Sequence, residues 1–149
     1  MMILNLLLAI VLQTPSPGQK IVVGLEGGQA VTVQDPEFTG FIEGRNGDAV
    51  LMYNQGNLHG EMPLKMIARI EFGRYKRGKP FSLTVTLRDG QILQVESERR
   101  DFVSLRGKTD TGVITIKQPD PISGRIDLST SKVNRKKDLT IHYLEIPTS

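Results

Sequence analysis

The chain has 149 residues, with 19 Lys plus Arg against 16 Asp plus Glu and no cysteine. That length suits one ordinary domain or two very small ones, and a formal net charge of +3 is too small to specify a polyanion partner by its total alone. Without cysteine there can be no disulfide framework, Cys-ligated zinc site, thiol nucleophile or lipidated lipoprotein cysteine.

From Met1 to Leu12 the chain is apolar except for Asn5, and the run ends at Gln13-Thr14-Pro15-Ser16-Pro17-Gly18. Roughly 20 apolar residues are needed to cross a bilayer as a helix, so the run is short for a permanent anchor and suits the apolar region of a signal peptide. Residues 1–18 are therefore expected to be a leader helix, with cleavage after Gly18, and the mature protein to be periplasmic, cell-surface or secreted. Left uncleaved, the leader is the expected membrane contact. The run lacks a preceding Lys or Arg, and the competing reading is an apolar element buried in a cytoplasmic core.

Beyond the leader, short alternating runs separated by turn residues predict strands to the C-terminus, and helix is expected to be minor. Val31 and Val33 are expected on one face, and Thr32 and Gln34 on the other. Asp89-Gly90, between Val85-Thr86-Leu87 and Ile92-Leu93-Gln94-Val95, predicts a tight hairpin, and Asn46-Gly47 gives the same signal before Ala49 to Tyr53. The stretch Gly24 to Gly28 reads as a flexible loop.

An ordered set of residue types recurs along the chain. Val31 to Asp35 resembles Val85 to Asp89 at an offset of 54 (31 to 85). Ile42, Asp48, Val50 and Met52 resemble Val95, Asp101, Val103 and Leu105 at 53 (42 to 95). Gly56, Leu58, Pro63, Met66 and Arg69 to Phe72 resemble Gly112, Ile114, Pro119, Ile122 and Arg125 to Leu128 at 56 (56 to 112). Two β units are expected, at 19–80 and 81–149, the second ending in a closing or exchanged strand over Leu139 to Ile146. A unit this small buries only about 60% of its unfolded surface, so two copies gain by packing together or exchanging strands.

Val85, Leu87, Asp89, Gly90, Val95 and Asp101 follow one another as in the V-x-L-x-D-G strand, second strand and Asp-containing turn of the Sm family. Each repeat resembles an SH3-like or Sm-like small β-barrel. The resemblance implies an all-β fold of two duplicated five-stranded barrel units packed together. It does not carry RNA binding: Ser104 and Leu105 stand where the family has Asn, and Arg106-Gly107 falls too early for its later loop.

Two basic clusters are the candidate anion-binding or partner-binding residues: Lys65, Arg69, Arg74, Lys76, Arg77 and Lys79, then Lys132, Arg135, Lys136 and Lys137. They occupy the same connection in each unit and are expected side by side. An anionic envelope component or a protein is the expected partner, and nucleic-acid phosphate in the cytoplasm the alternative. The competing account is that these cations keep a β protein soluble and guard its edges. Tyr75 alone is too few aromatics for a base-stacking platform.

His59 and His142 have no second ligand at metal-motif spacing, and His142 reads as a half-buried strand residue. Arg69 and Glu71 are expected as a surface ion pair around Ile70. No nucleophile elbow, phosphate loop or zinc-hydrolase motif occurs, so no catalytic, cofactor or metal residue is assigned. The sequence predicts an exported, non-enzymatic β module that serves as a scaffold or binds a surface partner.

Overall fold

The computed structural model describes residues 19–39, 42–45, 48–98, 104–119 and 141–148. The leader expected at 1–18, the second basic cluster at 132–137, and Ile122 and Arg125 to Leu128 lie outside them. The strands are β1 (Lys20–Leu25), β2 (Ala30–Thr39), β3 (Ile42–Arg45), β4 (Asp48–Gln55), β5 (Leu58–Pro63), β6 (Ile67–Phe72), β7 (Ser82–Leu87), β8 (Ile92–Ser97), β9 (Ser104–Thr109), β10 (Gly112–Lys117) and β11 (Ile141–Glu145). Among the described residues the helical content is one 3-10 turn, Leu64–Met66, between β5 and β6. The fold is all-β.

Every strand pairing is antiparallel, in the order β10-β9-β2-β1-β11-β6-β7-β8-β4-β3, with β5 on the other edge of β4. Alternation in the sequence selects one face for burial. Ile21, Val23, Val33, Leu83, Val85, Ile70 and Leu144 turn inward and belong to a single apolar cluster that runs from Ile116 on β10 to Leu51 on β4. Thr32 and Gln34 are exposed, as their alternation with Val33 requires. A sheet this long encloses one core only by twisting and curling.

The strand path divides at the β11–β6 pair into two blocks. Block one is β10-β9-β2-β1-β11; block two is β6-β7-β8-β4, with β3 and β5 on β4. Neither block comes from one half of the chain. Block one joins β1 and β2 to β9, β10 and β11, and block two joins β7 and β8 to β3 through β6.

Their pairings repeat at fixed offsets. In the β1–β2 turn the Leu25 N–H donates to the Gln29 carbonyl at 2.7 Å and the Gly28 N–H to the Leu25 carbonyl at 3.2 Å. In the β7–β8 turn Leu87 donates to Gln91 at 2.8 Å and Gly90 to Leu87 at 3.0 Å, each 62 residues later (25 to 87). Gly28 and Gly90 have φ of +86° and +93°, which a side chain would strain. Asp35 donates to the Gln19 carbonyl and Ser97 to the Phe81 carbonyl, both at 2.9 Å.

The β4–β5 and β9–β10 hairpins correspond at 54 residues, Gln55 opposite Leu58 as Thr109 is opposite Gly112. Across the blocks, Gln34 lies opposite Lys108 and its counterpart Glu96 opposite Asn54. At the seam, Val22, Val23, Gly24 and Leu25 face Glu145, Leu144, Tyr143 and Ile141. Thr84, Val85, Thr86 and Leu87 face Glu71, Ile70, Arg69 and Ile67 in the same way, with the bulges at His142 and Ala68 also in register. These last strands correspond at 74 residues (67 to 141).

The buried side chains follow the same correspondence: Leu51 with Leu105, Met62 with Ile116, Ile67 with Ile141, and Ile70 with Leu144 are all core residues. A two-fold relation through the β6–β11 seam relates β1, β2, β9, β10 and β11 to β7, β8, β4, β5 and β6, with β3 outside it among the described strands. The hairpins of each half pair with those of the other.

Three sequence readings change in the structure. The offsets are 62, 54 and 74 rather than 54, 53 and 56, because alternating apolar residues look alike in neighbouring strands. Gly24 is not in a loop: it lies in β1, where a Cβ would run into the Tyr143 ring. The strand expected over Leu139 to Ile146 is described as Ile141–Glu145, with residues 139–140 outside the description. His142, at the bulge, is exposed.

Candidate functional site

The first basic cluster is split by the β6 strand. Lys65 sits in the 3-10 turn before β6, and its backbone carbonyl accepts from Arg88 Nε at 2.7 Å. Arg69 lies mid-strand on the outer face. Its guanidinium pairs with Glu71 at 3.0 Å and with Glu145, and stacks 4.1 Å from the Tyr143 ring centroid. The expected Arg69–Glu71 pair is therefore part of a larger seam contact that ties β6 to β11.

Arg74, Lys76, Arg77 and Lys79 are brought together on one loop, Gly73–Phe81, between β6 and β7. All four are exposed, and no acidic residue lies between Gly73 and Phe81. The loop leaves the sheet where Gly73 N–H donates to the Ser82 carbonyl at 2.7 Å, and it turns where Lys79 N–H donates to the Lys76 carbonyl at 3.2 Å. Gly78, at φ +78°, permits that turn.

Aromatic packing holds the loop to the core. Phe81 is buried, its ring edge-on to Phe72 with centroids 5.9 Å apart, and Tyr75 lies 6.4 Å from Phe81 at a 43° tilt. Such pairs fix ring positions at low entropic cost. Tyr75 thus faces the protein, while its neighbours Arg74 and Lys76 project outward. Sequence reading noted Tyr75 but missed the clamp; the spacing Phe72, Tyr75, Phe81 around a run of cations was the available signal.

The antiparallel seam also orients the loop. Ile146 N–H donates to the Ala68 carbonyl, and Gln19 adjoins the start of β1, so residue 19 and the C-terminal residues lie at the early end of β6. Gly73 follows the late end, about 17 Å away at ~3.3 Å per strand residue. Ile141, the first residue of β11, lies at that same late end. The second cluster, Lys132 to Lys137, precedes Ile141 in the chain and lies outside the described residues.

Elsewhere, His59 Nδ1 lies 2.7 Å from Asn54 Oδ1 and its Nε2 2.7 Å from Glu98 Oε1, in an exposed cluster that ties the β4–β5 hairpin to the end of β8. Among the described residues no group of three or more His, Cys, Asp or Glu is placed to hold a metal ion. No described helix is long and apolar enough to cross a membrane. No family model, no curated protein and no solved structure matches the chain.

Proposed function

We propose that the chain is an exported, non-enzymatic module of two SH3-like units that binds an anionic component of the cell envelope or surface through the loop Gly73–Phe81. The observation that carries this reading is the loop itself: four exposed cations, no acid among them, on a turn clamped by Phe72, Tyr75 and Phe81. A rigid base keeps cations close that would otherwise repel one another apart, and this raises the local field at a surface. Two blocks of five strands or more around one core support the barrel-like description.

Export rests on the leader. Residue 19 lies at the end of the seam remote from the loop, so a chain tethered or threaded through its N-terminus presents the cations outward. Mass spectrometry of the N-terminus in native cells tests this half of the proposal. A mature chain beginning near Gln19 is expected; an intact Met1 on a cytosolic protein contradicts export and moves the loop's partner to nucleic-acid phosphate.

A further inference from the structure

We propose that the halves 19–72 and 82–146 are complementary pieces, each completed by the other, and that a second copy of this chain can supply either piece once the loop Gly73–Phe81 no longer turns the chain back on itself. The inference stands on the strand order and is independent of what the loop binds. The first half, 19–72, contributes β1 and β2 to block one and β3 through β6 to block two; the second half, 82–146, supplies the rest. Neither half contains a complete block. The pairs Gln34–Lys108, Glu96–Asn54, Val23–Leu144 and Ile70–Val85 all join one half to the other. All of these pairs form equally well whether the second half comes from the same chain or from another.

The loop is the one covalent link between the halves, and its geometry decides which half is taken. It reverses the chain between two neighbouring antiparallel strands, with Gly73 opposite Ser82. A link this short holds the chain's own second half at an effective concentration in the millimolar range, so the closed single chain is favoured over exchange. Removing the reversal removes that preference.

Deleting Arg74 to Lys79 leaves Gly73-Pro80-Phe81-Ser82. Phe81 must stay extended, because its N–H donates to Ser97 Oγ at 3.0 Å and its carbonyl accepts from Ser97 N–H at 2.9 Å. A two-residue hairpin turn needs positive φ at its first position, and proline is fixed near −65°. Folding β6 back onto its own β7 through Gly73-Pro80-Phe81-Ser82 then costs the extended Phe81 its bonds to Ser97, so the second half is expected to dock on another copy instead.

The test compares the full chain, the six-residue deletion, and a variant with six glycines in place of residues 74–79. Native mass spectrometry is expected to give the deletion variant twice the wild-type particle mass with an unchanged strand signal in circular dichroism. The glycine variant is expected at wild-type mass. A deletion variant of wild-type mass with a native spectrum overturns the proposal, and so does one that is unfolded. Independently, wild-type protein nicked by trypsin within Arg74 to Lys79 is expected to keep both fragments in one particle. On refolding together with isotope-labelled nicked protein, it is expected to form mixed complexes. Fragments that separate in native buffer overturn the proposal.

Discussion

Replacing Gln118 by Ala is expected to lower stability by about 4 kcal/mol, a large part of the ~5–15 kcal/mol available to a domain. Gln118 follows β10 and is 1% exposed. Its Nε2 donates to the Ile141 carbonyl and its Oε1 accepts from the Ile141 N–H, both at 2.9 Å. A side-chain amide here does the work of a strand partner for the fully buried first residue of β11. Its two-fold counterpart is Leu64, where the chain closes differently: the Ile67 N–H donates to the Leu64 carbonyl through the 3-10 turn.

In the second half residues 118–140 stand between β10 and β11 where the first half has that three-residue turn, and among the described residues Gln118 is the side chain that bonds both backbone groups of Ile141. Truncation strands a buried donor and a buried acceptor, at about 1–3 kcal/mol each, and adds a cavity term of about 1 kcal/mol. Gln118→Glu keeps the acceptor but turns an oxygen toward the carbonyl, and is expected to be at least as damaging. Urea unfolding of both variants beside Val113→Ala, a substitution at an exposed position, measures this. A loss below 1 kcal/mol for Gln118→Ala contradicts the closing role.

Reversing Arg74, Lys76, Arg77 and Lys79 to Glu is expected to abolish binding to anionic surfaces while leaving the fold intact. Each basic residue near such a surface contributes about 1 kcal/mol, so losing four weakens binding roughly a thousandfold before repulsion is counted. All four side chains are exposed, and the clamp of Phe72, Tyr75 and Phe81 is untouched. Reversing Lys65 and Arg88, at the other end of β6, is expected to change binding several-fold at most. The readout is affinity for an acidic polymer as a function of salt, with a wild-type slope of magnitude near four on a double-logarithmic plot if four anions are contacted. Equal losses from the two sets of reversals contradict a site on the loop.

Strand content and facing were legible in the sequence because period-two alternation reports burial directly. Val31 and Val33 point toward the core while Thr32 and Gln34 do not, and Asp89-Gly90 makes the expected hairpin. The strand pattern was legible, but the correspondence between strands that the pairing shows is not the one that comparing the sequence with itself suggests. Val31 to Asp35 and Val85 to Asp89 look alike because both are alternating strands, although β2 corresponds to β8 and β7 to β1. The residues that carry the register are those in the turns, Gly28-Gln29 and Gly90-Gln91, and the short run Ile67 to Phe72 against Ile141 to Ile146. The longer connection after Gln118 separates the last pair enough to hide it.

A one-residue difference also has a physical cost that alignment by similarity ignores. Matching Met52 to Leu105 puts a half-buried residue against a fully buried one, whereas Leu51 and Leu105 are both fully buried. Slipping a strand by one residue turns its apolar side to water. Which hairpin pairs with which was not readable, because period-two alternation fixes the face a strand buries but not the strand it pairs with. For the same reason the sequence placed Lys65 and Arg69 with the loop cations, although a strand that rises about 3.3 Å per residue carries them apart.

The absence of native cysteine lets a pair of engineered thiols report one contact cleanly. Strand neighbours directly opposite lie about 4.5–5.5 Å apart at Cα, within reach of a disulfide. Gln34→Cys with Lys108→Cys, and Asn54→Cys with Glu96→Cys, are expected to cross-link rapidly in the folded protein. Gln34→Cys with Asn54→Cys, and Glu96→Cys with Lys108→Cys, which join hairpins within one half, are expected to stay reduced. The reverse outcome, cross-links within halves and none between them, contradicts the exchanged arrangement.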